Sequence, residues 1–184
     1  ARVAPGADGK FIKESVDLAI DTLGQLPKDR PFCAYLYAVA PHRPYARHKG
    51  FEFGDSLTDL YDGEIAFTDH HLGRLFDWLE QTGGMQNTMI VVMADHAESF
   101  GERGVYRHSS QLFNDQTHVP MIFYVPRLPS QLRVPDYVST IDLGSTILHA
   151  LDLQVPDDYA GVTLWPLMRG VPFTHPPVYG EQTL

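Results

Sequence analysis

The chain has 184 residues, 43% hydrophobic and 20% charged, which is enough for one soluble domain with a real core. Its net charge of −9 excludes a nucleic-acid binder, which needs basic surface to neutralise phosphates. No apolar run approaches the roughly 18 residues of a membrane span, and no basic, apolar leader opens the chain. The first residue is Ala1, not Met, so a processed product or a piece of a longer polypeptide is expected. A single cysteine, Cys33, rules out an internal disulfide and a thiolate metal cluster. It lies in a strand-like run and reads as a small buried apolar residue.

In chain order, residues 1–9 lack periodicity and read as a loose lead-in. Helical spacing runs from Lys10 to Leu26, ended by Pro27. Residues 31–40 are nearly all apolar or aromatic and predict a central strand covered on both faces. That strand should leave into Pro41-His42-Arg43-Pro44-Tyr45-Ala46-Arg47-His48-Lys49, a loop because two prolines bar regular structure. Ser56 is an N-cap with Asp59 at capping-box distance, opening a long amphipathic helix to about Thr82, with Gly83-Gly84 closing it. Gly63 and Gly73 inside that helix point to close packing against the sheet. A second strand spans Thr88 to Ala94, a short helix falls within 109–116, and a third strand covers Val119 to Pro126. A last helix runs from Val138 to Leu153. The proline-rich tail predicts no long element, with Trp165 and Leu167 as anchors. Strands alternating with helices predict a layered α/β/α sandwich with a mostly parallel sheet.

The densest chemistry follows the second strand, which stops on Asp95-His96. Glu98, Glu102, Arg103, Arg107 and His108 come within the next dozen residues, and Gly101 and Gly104 let the backbone turn. Strand ends are where an open α/β sheet presents functional groups. Asp95 and His96 offer adjacent oxygen and nitrogen ligands for a divalent cation; the competing reading is a capped strand end with a hydrogen-bonded imidazole. His108, His42 and Arg43 are expected to face the same site. Glu98 and Glu102 read as loop-fixing or solvated, and mid-helix His70 and His71 as solvated or packed. His48, His118, His149 and His175 have no chemical partner in the sequence. Arg47, His48 and Lys49 with Arg43 form either an anion-attracting patch or an ordinary basic loop.

The run Asp95-His96-Ala97-Glu98-Ser99-Phe100-Gly101-Glu102-Arg103-Gly104, with His108 and Gln116-Thr117-His118-Val119-Pro120, closely resembles the sulfatase family of the alkaline phosphatase superfamily. Tyr61-Asp62-Gly63-Glu64-Ile65 with Leu72-Gly73 resembles that family's long helix. Pro41-His42-Arg43-Pro44-Tyr45 resembles its His-Pro-Tyr-type loop, and Gly161 to Gly170 its Gly-x-Ser-Leu-x-Pro-Leu-x-x-Gly segment. The resemblance spans residues 30–170. It implies an alkaline phosphatase-like fold and hydrolysis of a sulfate or phosphate ester. It implies a divalent metal (Ca, Mn, Mg or Zn) on Asp95 and His96, with catalytic and substrate contacts from His42 and His108. Arg43 adds charge at the site on the residues' own reading. A periplasmic or extracellular setting is the one the resemblance favours.

Departures from the family pattern are equally specific. The nucleophile motif Cys/Ser-x-Pro/Ala-x-Arg and the first-strand carboxylates are absent, and Cys33 is followed by Ala-Tyr-Leu-Tyr. Asp157-Asp158 lies in the proline-rich tail and reads as surface. The chain is therefore expected to be a single partial domain over 1–184, the C-terminal half of a sulfatase-like unit: lead-in 1–9, core 30–170, irregular tail 171–184. Alone it is expected to be inactive and to bind metal weakly. An exposed apolar face or edge is expected where the missing N-terminal half packs, covered in its absence by self-association. Ala97 and Ser109 replace usual glycines, and Gly144-Ser145 stands where Pro-Thr is common. The alternatives are a phosphoester hydrolase or a phosphoethanolamine- or phosphoglycerol-type transferase, and a non-catalytic sulfatase-like module.

Overall fold

A computed structural model describes residues 12–128 and 132–181. The predicted lead-in at 1–9 and the end of the tail lie outside these. The described residues cluster into two units, one ending at Gln86 and the other starting at Asn87.

In the first unit, helix α1 (Ile12–Gly24) packs on the long helix α2 (Leu57–Gln81). Ile12 and Val16 are its buried apolar positions, one turn apart. Asp17 ties the helices together, pairing with Lys13 at 2.9 Å and Arg74 at 2.5 Å. Those two cations hold its carboxyl below the usual range, Lys13 first. The predicted capping box is present: Ser56 Oγ accepts from Asp59 N, and the Asp59 carboxylate accepts from Ser56 N. At the other end Gly83, at φ 75°, closes a Schellman motif: Gly83 N donates to Glu80 O and Gly84 N to Leu79 O.

Gly63 is tolerated in α2 because a backbone approaches it, though not the sheet's. A Cβ there would lie 2.8 Å from the Phe51 carbonyl oxygen, whereas one at Gly73 would meet nothing within 4 Å. Residues 31–40, predicted as a central strand, form none; they run without a ladder partner among the described residues, and Phe32, Tyr35 and Tyr37 are exposed. Cys33 is correspondingly exposed, not buried.

In the second unit, β1 (Ile90–Met93) pairs with β4 (Met121–Tyr124), Ile90 opposite Tyr124 and Met93 opposite Met121. This ladder is antiparallel, unlike the parallel neighbours expected from strand–helix alternation. A parallel pair needs a crossover of a dozen or more residues, usually helical. Here the connection is spent on the site loop and α3 (Asn114–Thr117), four residues long. Ile122 and Tyr124 alternate outward on β4 and are exposed. A two-residue ribbon, β2 (Ser99–Phe100) with β3 (Tyr106–Arg107), stiffens the loop.

Helix α4 (Asp142–Ala150) is stitched to the tail by buried polar side chains. Asp142 accepts from Ser139 N at 2.7 Å and Val162 N at 2.9 Å, and pairs with His175 Nε2 at 2.8 Å. Ser145 Oγ donates to Gly161 O, and Thr146 Oγ1 accepts from Leu164 N. Of the predicted anchors, Leu167, in the short helix α5 (Trp165–Met168), is buried and Trp165 stacks on His149 at 5.9 Å; Leu164, just before α5, is buried as well. Among the described residues no helix is long and apolar enough to cross a membrane.

Candidate functional site

The strand end delivers its two predicted ligands side by side. Ala94 N closes the β1 ladder on Pro120 O, so Asp95 is the first residue beyond it. Asp95 Oδ1 accepts from His96 N at 3.0 Å. The His96 ring turns Nδ1 onto its neighbour's carbonyl, 3.0 Å from Ala97 O. A carbonyl only accepts, so Nδ1 carries the proton and Nε2 is the ring nitrogen left to bind a cation. That Nε2 lies 3.8 Å from Asp95 Oδ1. Two donors bound to one cation at about 2.0–2.4 Å are separated by roughly 3–4 Å, so the spacing fits a shared divalent ion. An imidazole N–H donated to a backbone carbonyl is also the usual way a ligating histidine is oriented. The Asp95 side chain is 72% exposed, leaving its oxygens open to a ligand.

His108 joins them. Its ring stacks on His96 with centroids 3.8 Å apart and planes 27° off parallel. Glu98 Oε1 lies 3.4 Å from His108 Nδ1, and its side chain is nearly buried. Glu98, expected to fix the loop, lies against His108, one of the histidines expected at the site. The only available signal was its place between Asp95 and His108.

The loop is held from behind by α3. Gln116 O accepts from Ala97 N at 2.9 Å, and Gln116 Nε2 donates to Ser99 Oγ at 2.9 Å. Ser99 Oγ donates to Asp115 Oδ2 at 2.5 Å. Asp115 also pairs with Arg103, whose guanidinium sits 4.2 Å over the Phe113 ring. Glu102 caps the turn by accepting from its own backbone and from Phe100 N, and these bonds hold its carboxyl below the usual range. The turn itself needs Gly101, at φ 115°, where a Cβ would meet Tyr106 Oη at 2.9 Å.

His42 and Arg43 belong to the first unit. His42 Nδ1 donates to Arg43 O at 2.7 Å, the same device seen at His96. Arg43 lies 5.6 Å over the Tyr45 ring. Of the neighbouring basic residues, Arg47 pairs with Asp55 at 2.5 Å and His48 turns inward to Glu64, so neither serves as a loose anion-attracting group. Among the described residues no three His, Cys, Asp or Glu side chains converge to hold a metal. The structure brings Asp95, His96 and His108 together and presents His42 and Arg43 on their own loop.

Comparison with known proteins follows the same residues. The sulfatase family profile matches residues 5–153.

This chain belongs to the sulfatase family.

It is 29% identical to arylsulfatase K of Xenopus laevis over 148 residues, covering 78% of this chain and 27% of that protein. It is 31% identical to the delta 4,5-hexuronate-2-O-sulfatase of Bacteroides thetaiotaomicron over 95 residues, 50% of this chain and 20% of that protein. Among solved structures, the phosphonate monoester hydrolase of Silicibacter pomeroyi superposes with a TM-score of 0.61 at 30% identity, covering 64% of this chain and 23% of that one. The fold is thus the alkaline phosphatase-like α/β fold of the sulfatases, and this chain spans about a quarter of the length of such relatives.

Proposed function

We propose that this sulfatase-family chain carries part of the active site of a divalent-metal-dependent sulfuric-ester hydrolase. The convergence of Asp95 Oδ1 and His96 Nε2, with the His96 tautomer fixed by Ala97 O, is the observation that supports this most. Asp95 and His96 would hold the ion, whose chemistry when bound is to stabilise negative charge on a non-bridging ester oxygen. His108 and His42 would contact the substrate's oxygens or protonate the leaving group, and Arg43 would add positive charge. Two ligands rarely hold a divalent ion tightly. The remaining ligands and the nucleophile therefore come from sequence outside these residues, and the 184-residue chain alone is inactive and binds metal weakly. The periplasmic or extracellular setting belongs to the same proposal.

The test uses the full polypeptide that carries this chain, with and without a chelator, on 4-nitrophenyl sulfate, bis(4-nitrophenyl) phosphate and phenyl phosphonate monoesters. Sulfate-ester turnover that is lost on chelation, restored by one divalent ion, and abolished by Asp95→Asn and His96→Ala supports the reading. Full activity in either variant would falsify it, and robust turnover by the isolated chain would overturn the claim that it is incomplete. A second reading, phosphoester or phosphonate hydrolysis, is favoured by the Silicibacter pomeroyi likeness and wins if the phosphorus esters are the better substrates.

A further inference from the structure

Glu64 is the most buried carboxylate among the described residues of the first unit, 1% exposed on the middle of α2. Burying a carboxylate costs several kcal/mol, of order 3–5 or more, unless it is paired and hydrogen-bonded. Both oxygens are directed at the loop that carries His42. Oε1 accepts from Ala46 N at 2.6 Å, and Oε2 lies 3.3 Å from His48 Nε2. His48 is itself clamped, stacked on Phe67 with centroids 3.7 Å apart and planes 4° off parallel. Tyr45 meets Tyr61 edge-on at 5.4 Å. Tyr61, Glu64 and Phe67 follow one another at i, i+3, i+6, so one face of α2 is the rail to which the loop is fastened. The fastening begins three residues beyond His42.

We infer that Glu64 is a positioning residue for His42. Its carboxylate sets where residues 41–48 lie on α2, and hence the direction in which His42 and Arg43 are presented. A helix that only needed to pack would carry an apolar side chain at this buried position. The carboxylate accepts a backbone N–H and lies within ion-pair distance of an imidazole of the same loop, which no apolar side chain does. This inference rests on the proposed role of His42 in the site. Misplacing a substrate-contacting group by about 1 Å costs up to roughly 100-fold in rate.

The experiment compares the full polypeptide with Glu64→Gln, His48→Gln, His42→Asn and the double variant Glu64→Gln/His42→Asn. It reads kcat and KM on the best ester substrate, with hydrogen exchange of the peptides over 41–49 and 61–81. The expected result is a fall in kcat/KM of about 10- to 100-fold for Glu64→Gln. Exchange over 41–49 quickens while 61–81 stays protected, and His48→Gln moves both readouts the same way. The double variant should lose no more than His42→Asn alone, because a positioning residue acts through the group it positions. Additive losses, or exchange that rises equally along α2, overturn positioning in favour of plain stability. If His42→Asn abolishes turnover while Glu64→Gln changes neither turnover nor loop exchange, the positioning role alone falls. If His42→Asn leaves kcat/KM intact, the reading of His42 falls and the positioning role with it.

Discussion

Replacing Ser99 by alanine should loosen the site loop without unfolding the unit that carries it. Ser99 is 1% exposed, and its hydroxyl joins the two side chains that α3 sends into the loop. It donates to Asp115 Oδ2 at 2.5 Å and accepts from Gln116 Nε2 at 2.9 Å. The first bond is charge-assisted, worth about 1.5–3 kcal/mol, and the second is neutral, worth about 0.5–1.5 kcal/mol. Partial compensation remains, because Asp115 keeps Arg103 and Gln116 keeps Ser110 Oγ at 3.3 Å. The net cost to local stability is therefore about 2–4 kcal/mol, a roughly 30- to 900-fold rise in local opening. Hydrogen exchange resolved by peptide reads this directly, with faster exchange over 96–118 and an unchanged rate over 142–150. The stack of His96 on His108 lies inside the loosened segment, so on the function proposed above metal affinity and turnover of the full polypeptide should fall with it. A change of less than about 3-fold over 96–118 would refute the clamp, as would equal acceleration in α4, which would mean global destabilisation.

Two further predictions concern the first unit. Gly63→Ala and Gly73→Ala should move the melting temperature in opposite directions. The first gains about 1 kcal/mol of helix propensity but sets a Cβ 2.8 Å from the Phe51 carbonyl, a backbone atom that yields only with the chain, for a net loss of about 1–2 kcal/mol. The second meets nothing within 4 Å and should gain about 0.5–1 kcal/mol; a gain from both would show that α2 does not seat on Phe51 as described. Burial, and then the neighbouring Arg74, push the His71 imidazole below its ordinary value of 6.5. The unfolded chain therefore takes up a proton that the folded one resists. This contribution is fully present above pH 6.5 and is lost as pH falls through the folded-state value. Urea midpoints measured between pH 7.5 and 5.0 should fall, and His71→Phe should flatten the slope; an unchanged slope in that variant would assign it to other groups.

What the sequence disclosed divides by range. Features whose physics closes within one turn were legible: the Ser56–Asp59 box, the Gly83 terminus, the strand end at Asp95 and the polar loop beyond it. Those that depend on a distant partner were not. Glu64 meets Ala46 across 18 positions, and Asp142 meets His175 across 33, so neither pairing leaves a local pattern. Glu64 sat in full view on a helix whose other charged residues are mostly solvated, and His175 in a tail of prolines. The run at 31–40 failed for a related reason. Apolar composition reports what a segment is able to bury, whereas a strand exists only with a neighbour to bond, and among the described residues it has none.

The backbone of the site loop adds an argument that composition could not supply. Arg103, Arg107 and Ser109 all adopt left-handed conformations, at φ 54°, 76° and 69°, alongside Gly101 and Gly104. For residues with a Cβ each costs about 1–2 kcal/mol. Ser109, which replaces a glycine of the pattern the sequence resembles, adopts a φ that glycine takes without strain. Such strain persists only where surrounding bonds over-determine the chain, and here they do: Arg103 is held by Asp115 and Phe113, and the amides of Ser110 and Gln111 both donate to Gln116 Oε1. The clamps on either side of His108 thus force an unfavourable backbone through the one segment that must stack it on His96. The strained run and the four-residue helix that enforces it are therefore best understood as one device, which fixes a histidine beside two potential ligands at a strand end.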